Sequence, residues 1–335
     1  MEVKIKVKRS SPSSNGKAAW QVYTVDIEKD ATVLDALARI REEMDPTLAF
    51  GGGCRTGMCG GCTMAINGDG RIACRYTVGK GLKGADEEGE DAISLAPIKM
   101  TTAVRDLRYD EELFHWSKLR AVEPWIEPKA APAEGEHIMS ATEAGALQEA
   151  MACTNCGLCD QGCVVIAVDK TYLGPAALAH GYRTVFDPRD SRTKERLEKL
   201  SLKKGIWDCA HCFEATEHCP RGVRPTHYIF DMHDKAMEHK AGPSYVRGHY
   251  GSFARSVKAH GWLDEGRLAL ETEGLTNVRG LLKLLPFALK AGAKGKRPMP
   301  YVLHPKRPGA EHIRRIFEKV EAKQKKEKGD EKGHG

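Results

Sequence analysis

The chain has 335 residues, 41% of them hydrophobic, and 52 Lys and Arg against 46 Asp and Glu give a formal net charge of +6. That length predicts two or three domains, and the Leu, Val and Ile content excludes wholesale disorder. No nucleic-acid reading helix or aromatic stacking sheet is visible, so the basic balance points to anionic lipid or an acidic protein partner rather than to nucleic acid.

The opening MEVKIKVKRS alternates like a strand and lacks an apolar leader. No apolar run reaches the roughly 18–20 residues of a membrane span. Eleven cysteines in a chain this long are no small-protein disulfide framework. A reducing, cytoplasmic compartment is expected, with any membrane association made through a partner or a surface element.

Residues 1–9 and 20–27 both alternate, predicting an antiparallel hairpin across the stretch SSPSSNGK. Thr32 is an N-cap candidate for a helix over 33–44, with Val33, Leu37 and Ile40 on one face. Hairpin, helix and then a Gly/Cys loop is a β-grasp order of elements. The loop GGGCRTGMCGGC, a short strand TMAING and then RIAC set Cys54, Cys59, Cys62 and Cys74 at spacings 4, 2 and 11. C-x4-C-x2-C with a distant fourth cysteine is the plant-type [2Fe–2S] signature. Four thiolates on zinc are the plainer alternative, but structural zinc usually comes as two CxxC-like knuckles.

Residues 80–91 read as a mobile polar loop, and ISLAPI as a returning strand. A helix is expected over 107–122, with Leu113, Trp116 and Leu119 as its packing stripe, and prolines at 124, 128 and 132 suggest a linker to 136. Further helices are expected at 141–151, 164–169, 174–182, 192–201 and 226–239.

Within this helical part, CTNCGLCDQGC at 153–163 has spacings 2, 2 and 3, the ligand run of a cubane cluster. Its partner is CAHCFEATEHCP, ending in Cys219–Pro220 as bacterial ferredoxin runs do. The fourth cysteine of each run ligates the other cluster, so Cys153, Cys156, Cys159 and Cys219 are expected on one [4Fe–4S] cluster. Cys163, Cys209 and Cys212 are left for the other, because Ala215 stands where a third run cysteine would fall. Three thiolates suit a [3Fe–4S] cluster, the preferred reading. A second [4Fe–4S] cluster would need a non-cysteine ligand such as His211, Glu214, Glu217 or His218.

Short helices are expected at 253–263 and 265–272. The segment LLKLLPFALKAGAKGK (281–296) is apolar but interrupted by Lys283, Pro286 and Lys290, and could pack on a partner or lie on a bilayer surface. A charged helix fading into a disordered tail ends the chain. The expected architecture is α+β: a plant-type ferredoxin β-grasp domain (1–105), an all-α bacterial-ferredoxin-like domain with two cubane-type clusters (106–245) and a C-terminal helical extension with a basic tail (246–335).

Over roughly residues 1–240 the chain resembles the iron–sulfur subunit of the succinate dehydrogenase and fumarate reductase family. The resemblance rests on CRTGMCGGC with RIAC, IKMTTAVRDLRYD followed by PW at 124–125, the first four-cysteine run, YLGPAALAHGYRTVFDPRDSRTKERL and WDCAHCFEATEHCPRGVRP. It implies a hetero-oligomer in which a flavoprotein with covalent FAD interconverts succinate and fumarate. Electrons then pass through [2Fe–2S], [4Fe–4S] and [3Fe–4S] clusters to a quinone. By position, Cys54, Cys59, Cys62 and Cys74 match the ligands of the first cluster, Cys153, Cys156, Cys159 and Cys219 those of the second, and Cys163 and Cys209 two of the third.

The chain departs from that pattern at Cys212 and Ala215, where cysteine and non-cysteine have changed places, and at Val164, Val168 and Ala210, which replace the family's proline and its quinone-site tryptophan and histidine. These departures resemble divergent members related to heterodisulfide reductase, paired with a quinone-reactive, CCG-domain subunit that sits on the membrane without spanning it. Such a complex would lie on the cytoplasmic side of the cytoplasmic membrane, held there by its partners. A thiol:fumarate reductase or a heterodisulfide-reductase-like electron carrier is the alternative.

Overall fold

The computed structural model describes residues 1–11, 18–87, 89, 91–130, 135–274, 276–296 and 307–332, in two compact units that meet in sequence between Ala241 and Gly242. Most of the expected hairpin loop (12–17), part of the proline-rich linker (131–134) and the last residues of the tail (333–335) lie outside the described residues.

In the first unit, β1 (Glu2–Arg9) and β2 (Ala19–Asp26) pair antiparallel from Glu2 opposite Asp26 to Arg9 opposite Ala19. Period-two alternation turns Val3, Ile5 and Val7 inward. Helix α1 (Val33–Arg39) starts from a reciprocal cap: Thr32 Oγ1 accepts from the Asp35 N–H (3.1 Å), and the Asp35 carboxylate accepts from the Thr32 N–H (3.0 Å). Val33, Leu37 and Ile40 are all 0% exposed, so the expected face is the core face.

Strands β3 (Thr63–Ile66), β4 (Asp69–Ile72) and, after helix α2 (Val78–Glu87), β5 (Ile93–Ala96) complete a five-stranded sheet of order β2-β1-β5-β3-β4. Among the described residues its only parallel pair is β1–β5. A sheet with a helix across one face is the expected β-grasp. Helix α2 corrects the reading of 80–91 as a mobile loop. Its glycines and acids mask an apolar series, Val78, Leu82 and Ala85, which packs on the sheet at helical spacing.

A small hairpin follows, β6 (Ala103–Arg105) and β7 (Arg108–Tyr109). In its turn the buried Asp106 carboxylate accepts from Arg9 Nε, Ser10 N and Ala49 N, each at 2.9 Å. One carboxylate thus ties the end of β1 to the start of the glycine/cysteine loop. The next helix begins as a π-helical turn, Glu112–Trp116, and continues as α3 (Ser117–Ala121). Here the expected stripe holds only at Leu119, which packs against the helical core; Leu113 and Trp116 are 64% and 43% exposed, while Phe114, His115 and Lys118 are buried. A π turn winds more residues per turn than an α-helix, which shifts the face that a 3.6-residue period predicts.

The helical part comprises α4 (Ala141–Met151), α5 (Leu158–Gln161), α6 (Val164–Val168), α7 (Gly174–Val185), α8 (Thr193–Leu200), α9 (Glu214–Glu217) and α10 (Pro225–Glu238). Helix α7 is the buried centre, and Tyr182 on it stacks on Phe186 and on Tyr228 of α10, both at 4.3 Å between centroids. Arg196 on α8 holds Asp190 bidentately (2.9 and 3.0 Å) and donates to the Glu123 and Trp125 carbonyls (2.8 and 2.7 Å). Asp190 also accepts from the Glu127 and Arg192 N–H groups, both at 3.0 Å. This buried pair fastens the extended 123–127 segment to the helices.

In the second unit, α11 (Ser244–His260) is longer and begins earlier than the expected 253–263. Glycines obscure its apolar period. At Gly248 a Cβ would come within 2.5 Å of the Glu271 carbonyl oxygen, so the residue has to be small for α12 (Glu265–Glu273) to pack there. Helix α13 (Val278–Ala293) runs through Pro286 unbroken, and α14 (Ala310–Lys332) follows.

Burial opposes ionisation of Asp190, but hydrogen bonds from Arg196, Glu127 and Arg192 outweigh it and hold the carboxyl below its usual range. Its stabilisation is therefore complete above the unfolded carboxylate pKa of ~3.9 and is lost as pH falls through the lower folded value. Asp190→Ala should cost about 3–5 kcal/mol by stranding a buried guanidinium, read as a lowered midpoint in chemical unfolding at pH 7. Loss of under about 1 kcal/mol would show that the pair is not the fastening.

Candidate metal centres

The first cysteine group depends on the register of β3 and β4. Asn67 and Gly68, both at positive φ, make the tight hairpin turn that Asn-Gly favours. With Thr63 opposite Ile72, Cys62 before one strand and Cys74 after the other come together, and the Cys74 N–H points at Cys62 Sγ (3.4 Å). The Asn-Gly pair was the sequence signal for this return, and it was missed. Cys54 and Cys59 lie on the exposed loop, where Cys54 Sγ accepts from the Thr56 and Met58 N–H groups (3.4 and 3.2 Å) and Cys59 Sγ from Gly61 N–H (3.5 Å). Hydrogen bonds from Thr56, then Met58, bring the Cys54 thiol down to about 6, whereas burial raises Cys62.

A second pocket is lined by Cys153, Cys156 and Cys159 from one run and Cys219 from the other, with Ala176 and Ala179 of α7 beneath. Burial pushes Cys156 up to about 11 and Cys159 well above the usual thiol range, and the neighbouring cysteines add to it. Thiols that resist ionisation become thiolates when metal cations supply the compensating charge, which is the donor chemistry of an iron–sulfur site. N–H groups of Asn155 and Leu158 point at Cys153 and Cys156, as sulfur ligands require. The cysteines and their donors fit such a group.

Cys163 and Cys209 belong to the main helical core beside the buried Tyr172, and both are raised by burial. The Val165 and Ile166 N–H groups serve Cys163, and that of His211 serves Cys209. Cys212 is exposed. Ala215 is buried in a small cluster with Cys159 and Ala176. Among the proposed non-cysteine ligands, His218 sits 3.6 Å from Glu214, and His211 turns its ring onto Phe230 and His233, with centroids 4.8 and 5.5 Å away.

The first two groups meet at Gly60. This residue has φ +69°, and a Cβ there would lie 2.8 Å from Cys156 Cα and 3.0 Å from the Thr154 carbonyl oxygen. The second and third are joined by α5, with Cys159 on the helix and Cys163 just beyond its end.

Residues 4–115 match a 2Fe-2S iron-sulfur cluster binding domain, and residues 149–223 a 4Fe-4S dicluster domain. The chain is 34% identical to a fumarate reductase iron-sulfur subunit of Mycobacterium tuberculosis over 223 residues, 66% of this chain and 87% of the relative. It is 33% identical to a mitochondrial succinate dehydrogenase [ubiquinone] iron-sulfur subunit of Oryza sativa, over 65% of this chain and 75% of that one. Among solved structures, a chain of the Mycobacterium smegmatis Sdh1 complex in the apo form superposes with a TM-score of 0.60 at 25% identity, covering 71% of this chain and 97% of that one.

Gly60→Val is expected to strain the loop by about 1–3 kcal/mol and to push the 153–156 loop away. Iron and acid-labile sulfide per purified chain should fall, with Gly60→Ala intermediate. Full retention in both variants would remove the close approach as a requirement.

Proposed function

The chain belongs to the iron–sulfur subunits of succinate dehydrogenase and fumarate reductase, and from that premise we propose that it relays electrons one at a time between a flavoprotein with covalent FAD and a quinone-reactive subunit at the membrane. In this reading Cys54, Cys59, Cys62 and Cys74 hold a [2Fe–2S] cluster. Cys153, Cys156, Cys159 and Cys219 hold a [4Fe–4S] cluster, and Cys163, Cys209 and Cys212 a [3Fe–4S] cluster. The working division is 1–105 for the first cluster, 106–245 for the other two, and 246–335 as an added element.

The observation that carries the proposal is the contact sequence of the three groups: Gly60 against Cys156, then α5 from Cys159 to Cys163. One-electron transfer is the chemistry that the clusters supply when bound. The residues of the chain fix each group's position, and their N–H donors and burial set how readily charge accumulates on the sulfurs. No side chain here acts on succinate or fumarate, whose site lies on the flavoprotein.

The outer end favours an acceptor on another subunit. Val164 and Val168, beside Cys163, are 46% and 91% exposed and offer no hydrogen-bond donor to a quinone. This supports docking of a separate quinone-reactive partner of the CCG-domain kind, on the cytoplasmic side of the membrane. No helix among the described residues is long and apolar enough to cross a membrane, in keeping with a peripheral subunit.

The cluster-loaded chain should contain about nine irons if the third site is three-iron, against about ten if it is four-iron. Oxidised EPR should show the three-iron signal. Cys212→Ser should abolish or alter that signal and leave the reduced [2Fe–2S] signal intact. An unchanged oxidised spectrum would overturn the assignment of Cys212.

A further inference from the structure

Helix α13 has two faces that its own unit does not account for. From residue 278 to 296 the sequence contains five cations, Arg279, Lys283, Lys290, Lys294 and Lys296, and no acid. Val278, Leu282, Leu285 and Leu289 recur at i, i+4, i+7 and i+11, which at 3.6 residues per turn confines them to an arc of about 60°. They are 67%, 62%, 52% and 65% exposed, and Phe287 is 76% exposed. The packing within the unit uses another side, where Gly280 is buried and Leu281, Leu284 and Ala291 are partly covered. Arg279, Lys283 and Lys290 fall within about 40° of one another, flanking the leucine face.

We propose that α13 lies in the plane of an anionic bilayer surface, with the Val278–Leu282–Leu285–Leu289 face set into the interface and its lysines and arginine reaching the headgroups. Its 16 residues span about 24 Å, too short for a hydrocarbon core of about 30 Å and suited to lying flat. A strong apolar face beside a purely cationic flank is the pattern of interfacial helices. Long basic side chains there keep their stems on the apolar boundary and their charges in water. The absence of acids favours lipid over a protein groove, because each cation near a negatively charged leaflet adds to the attraction and nothing on the helix opposes it. The proposal stands on this helix alone and is independent of the electron relay.

The test uses the full-length, cluster-loaded chain and protein-free vesicles, either pure phosphatidylcholine or an equimolar mixture with phosphatidylglycerol, in a sedimentation assay. The chain should partition onto the anionic vesicles and release them as salt rises. The double substitution Leu282→Glu with Leu289→Glu should weaken partition by roughly tenfold or more. Lys283→Gln with Lys290→Gln leaves the apolar face intact and should weaken binding to anionic vesicles by a similar factor, with little effect on pure phosphatidylcholine. Unchanged iron content and helical circular dichroism in both variants identify the loss as one of binding rather than folding. The proposal is overturned if the parent chain fails to partition or if both variants partition like it. Binding confined to vesicles that carry partner subunits also overturns it, and would assign the leucine face to a protein.

Discussion

A thiol buried in protein resists ionisation, and the first unit is arranged around that constraint. Cys153, Cys156, Cys159, Cys163 and Cys209 are all raised by desolvation. Left unpaired, such groups bring a core little beyond small apolar volume. Bound to iron, they become charged ligands whose cost is met by the metal and by N–H groups aimed at the sulfurs. The amides aimed at these sulfurs come from loops and from the first turns of α5 and α6, where an N–H has no partner within the helix.

The cysteine-bearing loops are held by regular elements at their ends. The β3–β4 hairpin brings Cys74 to Cys62, and the Asp106 carboxylate grips Ala49 ahead of the first loop. Helix α7 forms a floor of alanines under the second pocket, where larger side chains would occupy the space. The Arg196–Asp190 pair fastens the segment that crosses between the two cysteine-bearing regions. Each device is local, and together they bring three separate groups into a contiguous series.

The series is not uniform. At its inner end the loops of the first and second groups touch backbone to backbone. At its outer end Cys212 is exposed and the neighbouring valines are open. Cys54 and Cys59 of the first group are exposed as well, so a more buried middle group lies between two edges that partners can approach. The second unit adds surface of a different kind, in which apolar and cationic faces share one helix.

Much of this was legible in the sequence. Alternation marked β1 and β2, the Thr32 cap and the Val33, Leu37 and Ile40 series marked α1, and cysteine spacing marked three groups, because each is a relation among residues close along the chain. The misreadings have the opposite character. Helix α2 looked like a loop because its glycines and acids mask a core-facing series that only the sheet reveals. The stripe of Leu113, Trp116 and Leu119 failed at its first two positions because a π turn, with Phe114 and His115 buried in it, changed the period. That Ala215 is buried with Cys159, and that the leucines of α13 stay uncovered, could be known only from the folded chain. Spacing along the backbone determines which groups are able to meet. Which faces end up covered depends on distant residues, and only tertiary packing decides it.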